Sequence, residues 1–289
     1  MFHIVQLLTA ICVGLTLLSF LQRASYKVKM IVFFVCSGIV VLISLPFMIF
    51  RPKNHRNAIF PAFGCRMVGR AIGVTMEVRG LENVRKDHGS VVLINHQSSL
   101  DLLGKYFFPE EVDFFNPTLP TVLAYLWPVI GTATVVSKKE ILYIPFFGIG
   151  AWMWGTLFIN RSRKADSIQS LNNESKAIKE RNCKLLLFPE GTRHPGEKLL
   201  PFKKGSFHIA ITNKCPIQPV VVSRYNFLDA KKKIFNTGHA IIQILPEIET
   251  EGFNRENIEE LITSTRDTMQ TEFDKISKEV KLLNSAKAD

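Results

Sequence analysis

The stretch VVLINHQSSLD, residues 91–101, decides the fold class, because an apolar run ends there directly in a polar turn. A short, continuous apolar run of this kind is typical of a strand that is buried on both faces. Ser98 or Ser99 can cap a helix that follows the turn. The stretch therefore predicts a strand at 91–95 within a strand–turn–helix unit, from which α/β sheets are built.

Three more short runs have the composition of largely buried strands: KLLLF at 184–188, IQPVVVS at 217–223 and AIIQIL at 240–245. Helical composition and spacing are found at 167–181 and 257–280. Because strands and helices alternate along the chain, we predict an α/β fold with a mixed, largely parallel sheet flanked by helices.

Two apolar stretches precede this domain, at 2–21 and 30–50, and the second carries no charged residue. Each is close to the ~20 residues that a helix needs to cross the hydrocarbon core. The short basic link between them, 22–29, predicts a membrane helical hairpin. A cleaved signal peptide is the alternative for the first stretch, although no basic residue precedes it and no clear small-x-small cleavage site follows it. We therefore divide the chain into a membrane-anchoring hairpin, 1–55, and an α/β domain, 56–289.

Basic residues flank the second apolar stretch on both sides. Three precede it, and a larger number follow it: Arg51, Lys53, Arg56, Arg66 and Arg70. The larger number after the stretch favours a cytosolic α/β domain. A hairpin that lies in one leaflet would place the domain on the same side for a different reason.

Lysine and arginine outnumber aspartate and glutamate by 36 to 25, which gives a formal net charge of +11. This surplus indicates anionic partners: phospholipid headgroups, the phosphates of a coenzyme, or nucleic acid. We expect no nucleic-acid partner, because the sequence has no zinc-finger spacing or RNA-binding aromatic motif and its basic residues are scattered. The five cysteines are widely spaced, so they predict neither a disulfide framework nor a metal-binding pair, and we expect the domain to face a reducing compartment.

His96 and Asp101 lie in the polar turn after the first predicted strand. Open α/β sheets keep their ligand sites at such strand ends. Asp101 could hold one ring nitrogen of His96 and leave the other free to accept a proton. The alternative is a surface loop with a solvated histidine.

The stretch FPEGTR, residues 188–193, follows another predicted strand. Gly191 allows a tight backbone path, Thr192 offers a hydroxyl, and the guanidinium of Arg193 can bind a phosphate with two hydrogen bonds. Three lysines nearby add positive charge: Lys198, Lys203 and Lys204. An exposed turn with a solvated arginine is the alternative interpretation.

Two further motifs are FINR, residues 158–161, and PIQPVV, residues 216–221. In the first, a basic side chain follows an apolar run. In the second, a proline lies inside a predicted strand, which implies an edge, a bulge or a special local geometry.

In this order, His96-x4-Asp101, FINR, FPEGTR and PIQPV resemble the four blocks of the glycerolipid acyltransferase superfamily, and above all the lysophosphatidic acid (1-acylglycerol-3-phosphate) acyltransferases of animals. The resemblance covers about residues 85–250. It implies transfer of a fatty acyl group from acyl-CoA to the sn-2 hydroxyl of lysophosphatidic acid, giving phosphatidic acid, without a covalent acyl-enzyme. It also implies the endoplasmic reticulum membrane as the location.

The same resemblance implies the roles of the site residues. His96 is the general base that takes the proton of the acceptor hydroxyl, and Asp101 orients its ring. The acceptor phosphate is bound by the third block with help from the second: Glu190, Gly191, Thr192, Arg193 and Arg161. Thioesters are already activated, so we expect acyl-CoA as co-substrate, no other cofactor and no metal.

The spacing between the first two blocks departs from the family pattern, because Asp101 is further than usual from the Lys-Lys-Glu stretch that begins at Lys138. Residues 107–136 are therefore a possible insertion, either a membrane-dipping element or a lid. The apolar segment 142–159 carries two tryptophans and several phenylalanines, so it could lie at the bilayer surface or pack in the core.

Other functions stay open at this point. The acceptor could be glycerol-3-phosphate or a lysophospholipid with a larger headgroup. From a different class, the chain could be a non-catalytic lipid-binding or membrane-shaping protein. A serine hydrolase is disfavoured, because the sequence has no Gly-x-Ser-x-Gly motif.

Overall fold

The structure is a computed structural model, and it describes residues 2–97, 118–144, 146–159, 178, 182–192, 194–229 and 232–286. Helices α1, Phe2–Arg23, and α2, Tyr26–Met48, form the N-terminal part, and the break between them falls inside the predicted basic link. In the described part, α2 is the helix long and apolar enough to cross a membrane by length and composition. The pairing of α1 and α2 into a hairpin stays a prediction.

A seven-stranded sheet has the order β1-β9-β6-β2-β5-β3-β4. Neighbours are parallel from β6 to β4 and between β1 and β9, whereas β6 and β9 are antiparallel. The strands are β1 Val74–Arg79, β2 Val91–Ile94, β3 Ala133–Lys138, β4 Leu157–Ile159, β5 Lys184–Leu187, β6 Ile217–Val222 and β9 Gly238–Ile244, with a separate pair, β7 Leu228–Asp229 and β8 Ile234–Phe235. The predicted fold class, a mixed and largely parallel sheet, is confirmed.

Helices cover both faces of the sheet. They are α3 Ile59–Ala71, α4 Thr118–Ile130 and α5 Phe147–Met153 on one face, and α6 Lys204–Asn213 and α7 Ile258–Ser285 on the other. The residues of β2 alternate between the two faces: Val92 and Ile94 pack in the core with α3 and α4, and Val91 and Leu93 pack in the core with α6 and α7. This double burial explains why the sequence of β2 is apolar without interruption.

Helix α2 packs along its length against the α/β domain. Its buried residues run from Tyr26 to Met48, and they belong to the same core as the sheet residues. Tyr26 lies 6.3 Å, between ring centroids, from Phe235 of β8, and Val41 contacts Gly150 of α5. The opposite face of α2 exposes apolar side chains. The division of the chain at residue 55 stays a prediction, and the core of the protein extends across it.

The described part of the possible insertion at 107–136 belongs to the core. Residues 118–136 form α4 and most of β3, and α4 packs on α3. Arg66 of α3 donates to the carbonyl of Ala124 at 2.6 Å, and Trp127 donates to the carbonyl of His55 at 2.7 Å. Residues 118–136 thus pack in the core, residues 107–117 lie outside the described residues, and the insertion itself stays a prediction.

The apolar segment 142–159 divides between the core and the surface. Trp154 is buried and contacts Phe147 edge to face at 5.6 Å. Tyr143, Phe146 and Trp152 are exposed. The segment therefore packs in the core and also presents aromatic side chains outward. The helix predicted at 167–181 lies outside the described residues apart from Ile178, which is buried.

Pro219 lies in a central strand, where its nitrogen cannot donate to the sheet. Its carbonyl accepts a hydrogen bond from Leu245 N at 3.0 Å, and the Leu245 carbonyl accepts from the side-chain amide of Gln218 instead of from the proline. The next pair is Ile217 with Ile248, so one residue of β6 faces two residues of the neighbouring segment. This bulge is one of the geometries that the proline implied.

Candidate active site

The two polar turns of the sequence meet at one edge of the sheet. Strands β2 and β5 are hydrogen-bonded parallel neighbours, and Leu93 pairs with Leu187. The turn with His96 follows β2, and the turn 188–192 follows β5, so both emerge at the carboxyl ends of adjacent strands. This is the edge at which open α/β sheets bind their ligands.

Glu190 connects these turns through its carboxylate. One oxygen accepts a hydrogen bond from the backbone nitrogen of His96 at 2.9 Å, and the other accepts from the backbone nitrogen of Leu200 at 3.0 Å. Glu190 is 3% exposed. Burial raises the pKa of this carboxyl, and the two backbone donors act in the opposite direction because they stabilise the charged form. Glu190 therefore holds three chain segments together.

The backbone of His96 is held at both of its polar groups. Its nitrogen donates to Glu190, and its carbonyl accepts from the backbone nitrogen of His194 at 2.9 Å. The imidazole packs against the ring of Phe188, with 4.6 Å between centroids and 33° between planes. The position of the ring is thus determined by the turn after β5 as well as by its own strand.

Asn95 and Gln97, the neighbours of His96, attach the turn to β6. The side chain of Asn95 donates to the carbonyl of Val222 at 3.0 Å and accepts from its nitrogen at 2.7 Å. Gln97 donates to the carbonyls of Val222 and Ser223 at 2.6 and 3.1 Å. Both side chains are buried. The sequence interpretation did not assign them a role, although two amides on either side of a histidine at a strand end were a usable signal.

Gly191 has a left-handed backbone conformation, with φ of 67°, which favours glycine. Its nitrogen donates to the carbonyl of Phe188 at 3.1 Å, so the turn is tight. A Cβ at this position would lie 2.6 Å from the end of the Lys203 side chain. Thr192 is exposed beside it. The predicted tight path through Gly191 is present.

The three lysines near this turn have different surroundings. Lys198 and Lys203 are exposed, whereas Lys204 forms an ion pair with Glu259 at the start of α7. Lys204 is therefore partly neutralised, and the positive charge beside the turn comes from the other two.

Asp101, Arg161 and Arg193 lie outside the described residues, so their predicted positions around His96 stay predictions. In the part of the chain that the structure describes, no group of three histidine, cysteine, aspartate or glutamate side chains could hold a metal ion. The expectation that the chemistry needs no metal is not tested by this observation.

A family model described as Acyltransferase matches residues 75–223, which contain both turns and five complete strands of the sheet, β2 to β6. The chain belongs to the acyltransferase family. It is 30% identical over 239 residues to human 1-acyl-sn-glycerol-3-phosphate acyltransferase alpha, and the match covers 82% of this chain and 77% of that protein. It is 36% identical over 203 residues to the yeast 1-acyl-sn-glycerol-3-phosphate acyltransferase, with 68% of this chain and 59% of that protein covered.

A solved structure has the same fold as this acyltransferase. It is the crystal structure of the 1-acyl-sn-glycerophosphate (LPA) acyltransferase PlsC from Thermotoga maritima, with a TM-score of 0.60 and 20% identity. The match covers 89% of this chain and 95% of that one. At this identity the likeness concerns the fold. The resemblance inferred from the four motifs is confirmed at the level of the family, and the human protein shows that the animal enzymes are among the relatives.

Helix α7 supports the acyltransferase site from outside. Gln270 accepts a hydrogen bond from the nitrogen of Leu199 at 2.7 Å, and Arg266 donates to the carbonyls of Leu199 and Leu200 at 2.5 and 3.2 Å. Leu200 in turn donates to Glu190. The C-terminal helix therefore fixes the segment that holds the buried carboxylate, a connection that no local motif indicated.

Proposed function

We propose that the protein is a 1-acylglycerol-3-phosphate O-acyltransferase, which transfers a fatty acyl group from acyl-CoA to the sn-2 hydroxyl of lysophosphatidic acid and forms phosphatidic acid. The human and yeast relatives, both 1-acyl-sn-glycerol-3-phosphate acyltransferases, support the acceptor. The observation that carries the proposal is the junction of the two motif turns, at which Glu190 accepts from the backbone of His96 at 2.9 Å. This junction brings the proposed base next to the proposed phosphate-binding turn.

In the proposed reaction, His96 accepts the proton of the sn-2 hydroxyl while the hydroxyl oxygen attacks the thioester carbonyl. A new C–O ester bond forms and the C–S bond breaks. The proton on the imidazole then passes to the thiolate of coenzyme A, which leaves as the free thiol. A positioned base typically contributes ~10²–10⁴ in rate. The double attachment of the His96 backbone supports this role, because a base must be held in a defined position relative to the hydroxyl.

The acceptor phosphate is assigned to the third block. We propose that Arg193 binds it, with Arg161 assisting and with Gly191 and Thr192 shaping the turn. For Glu190 we propose a different role from the phosphate binding that its motif implied. Because both of its oxygens accept from backbone nitrogens and a carboxylate repels a phosphate, it is proposed to position the turn and not to contact the substrate.

The membrane is the proposed site of action, since lysophosphatidic acid partitions into bilayers. Helix α2 contacts the core at both of its ends, through Tyr26 and Met48. A helix with this packing would have to leave the core in order to span the bilayer alone. We therefore favour the hairpin that lies in one leaflet, with the α/β domain in the cytosol and the endoplasmic reticulum as the host membrane.

The test is an assay of the full-length protein with radiolabelled oleoyl-CoA against a panel of acceptors: lysophosphatidic acid, glycerol-3-phosphate and lysophosphatidylcholine. We expect labelled product with lysophosphatidic acid and little with the others. If the enzyme preferred glycerol-3-phosphate or lysophosphatidylcholine, that compound would be the acceptor in place of lysophosphatidic acid. No product with any acceptor, from protein that is folded, would favour the non-catalytic alternative.

A further inference from the structure

A cleft of about 1290 Å³ lies at the same edge of the sheet as His96, but beside β1, the last strand of the sheet, and its neighbour β9. It is bounded by the amino ends of β1 and β9, at Gly73 and Gly238. Because β9 is antiparallel to β6, these amino ends lie at the same edge as the carboxyl ends of the parallel strands. The remaining walls are formed by the ends of α1, α3 and α7 and by residues around the β7–β8 pair, among them Phe227 and Phe235. No step of the proposed reaction uses this cleft.

Among the described residues, the charged side chains that line the cleft are all basic: Arg23 of α1, Arg70 of α3 and Lys281 of α7. In the part of the chain that the structure describes, no aspartate or glutamate lines it. Within the described residues, none of the three forms a salt bridge. Three cations around one opening repel one another, and a bound anion would offset that repulsion.

A second observation comes from behind the wall of the cleft. Lys29 of α2 is 1% exposed, and its ammonium has no hydrogen-bond partner in the part of the chain that the structure describes. It lies 5.2 Å from the centroid of the Phe235 ring, and Phe235 lines the cleft. The face of the Phe235 ring attracts this cation and offsets only part of the cost of burying it. A negative charge in the cleft would reduce this cost.

The helices that lead to the cleft indicate where the anion comes from. On α3, the exposed side chains of Phe60, Phe63 and Met67 follow one another at helical spacing, and Arg70 continues the same stripe. On α1, exposed Phe20 precedes Arg23 by one turn. Both apolar faces thus end in an arginine of the cleft. Basic side chains at the end of a lipid-facing helix lie at the level of the headgroups.

We propose that this cleft binds the phosphate of an anionic phospholipid headgroup, separately from the acyl-transfer site. A guanidinium can form two charge-assisted hydrogen bonds with a phosphate, which suits Arg23 and Arg70. A zwitterionic headgroup brings its own cation among three basic side chains, so the cleft selects lipids with a net negative charge. The bound lipid would anchor the end of α1 to the α/β domain and hold the enzyme at the membrane surface.

The experiment compares two charge-matched double variants of the full-length protein in neutral detergent micelles. The first, Arg70→Gln with Lys281→Gln, removes two cations of the cleft. The control, Lys232→Gln with Arg255→Gln, removes two exposed cations elsewhere. Native mass spectrometry measures the apparent Kd of dioctanoyl phosphatidylglycerol, of dioctanoyl phosphatidylcholine and of inorganic phosphate for each protein.

We expect the cleft variant to bind phosphatidylglycerol at least ~10-fold more weakly, the loss of about one charge-assisted contact, and the control to change by less than about twofold. Phosphatidylcholine binding should be weak and equal in all three proteins. An equal loss in both variants would indicate diffuse electrostatics and overturn the proposal, as would no loss in the cleft variant. If inorganic phosphate bound as tightly as phosphatidylglycerol, the site would recognise a free phosphate and not a lipid headgroup, and the proposal would be overturned.

Acyl transfer provides the second readout. With lysophosphatidic acid dispersed in neutral micelles, both variants should retain the wild-type kcat and KM, because the cleft is separate from the reaction. A kcat or KM that changes only in the cleft variant would place the cleft in the acyl-transfer site and overturn its separation. Failure of the proposed function itself is distinguishable, since it would leave the lipid-binding result intact.

Discussion

The carboxylate of Glu190 accepts a hydrogen bond from the backbone nitrogen of His96 at 2.9 Å. This hydrogen bond joins the turns after β2 and β5. The other oxygen of the Glu190 carboxylate accepts a hydrogen bond from the backbone nitrogen of Leu200. The position of the proposed base therefore depends on a buried acid in a different motif. Two motifs that are distant in the sequence act as one unit.

His96→Ala should abolish acyl transfer while the protein stays folded and membrane-bound, because the hydroxyl then has no base. Asp101→Asn should also be severely impaired, through loss of ring orientation and of the charge that stabilises imidazolium. The matched control is His208→Ala, which removes a partly buried histidine on α6. Steady-state rates with lysophosphatidic acid and oleoyl-CoA give the comparison. Activity of the His96 variant within about tenfold of wild type would contradict its role as base.

Glu190→Gln should lower kcat and also change how stability depends on pH. The glutamine amide would face a backbone nitrogen, so one hydrogen bond is lost and a donor is left unsatisfied, at a cost of about 1–3 kcal/mol. Burial raises the pKa of Glu190 above its ordinary 4.5, so the folded wild-type protein binds a proton more tightly than the unfolded chain. The contribution of this group to stability is therefore present at low pH and declines as pH rises from 4.5 through the folded pKa.

Thermal unfolding of wild type and Glu190→Gln across pH 4 to 8 measures this contribution. The difference between the two proteins should change over the window that begins near the ordinary pKa of 4.5. Parallel curves throughout would mean that the carboxyl keeps its ordinary pKa.

Gly191→Ala should damage the site more than the fold. The alanine must adopt φ near 67°, a left-handed conformation that costs about 1–2 kcal/mol. Its Cβ also meets the end of the Lys203 side chain, which is flexible and can move. Gly252→Ala is the matched control, because Gly252 has φ of 84° and open space around its Cβ position.

Both glycine variants should lose a similar amount of stability, but only Gly191→Ala should raise the KM for the acceptor. Unfolding midpoints and saturation curves on the two variants separate these effects. A KM that rises equally in both would attribute the loss to general destabilisation.

Arg193→Ala should raise the apparent KM for lysophosphatidic acid by at least ~10-fold, and Arg193→Lys should recover only part of the loss, since lysine offers a point charge in place of a planar fork. The KM for acyl-CoA should change little. Saturation curves that vary one substrate at a time provide the measurement. A shift in the acyl-CoA curve alone would assign Arg193 to the coenzyme and reverse the placement of the two substrates.

Deletion of residues 1–23 should weaken membrane attachment without unfolding the domain, whereas deletion of 1–50 should also lower stability. The longer deletion removes α2, whose buried face belongs to the main core. Liposome flotation and thermal unfolding of both truncations test this. We expect partial release, because exposed Tyr143, Phe146 and Trp152 remain to contact lipid. If the protein without residues 1–23 were completely soluble in low salt without detergent, the surface with Tyr143, Phe146 and Trp152 would not bind membrane.

Much of the fold was predictable from the sequence because strand burial is a local property. The predicted strand at 91–95 is β2, Val91–Ile94, and the predicted helix at 257–280 corresponds to α7, Ile258–Ser285. The polar turns that follow β2 and β5 were also readable, since a change from apolar to polar residues at a strand end needs no knowledge of distant segments. The ordered motifs then identified the family.

Only the tertiary structure decided which groups meet across the chain. His96 and Glu190 are separated by 94 positions, and Asn95 and Val222 by 127. The packing of α2 onto the core and the placement of 118–136 in that core were likewise decided there. An apolar composition indicates that a segment is shielded from water, but it does not indicate which other segment of the chain covers it. Strand order and the contacts of buried polar groups depend on the packing of the whole chain, so no local pattern could determine them.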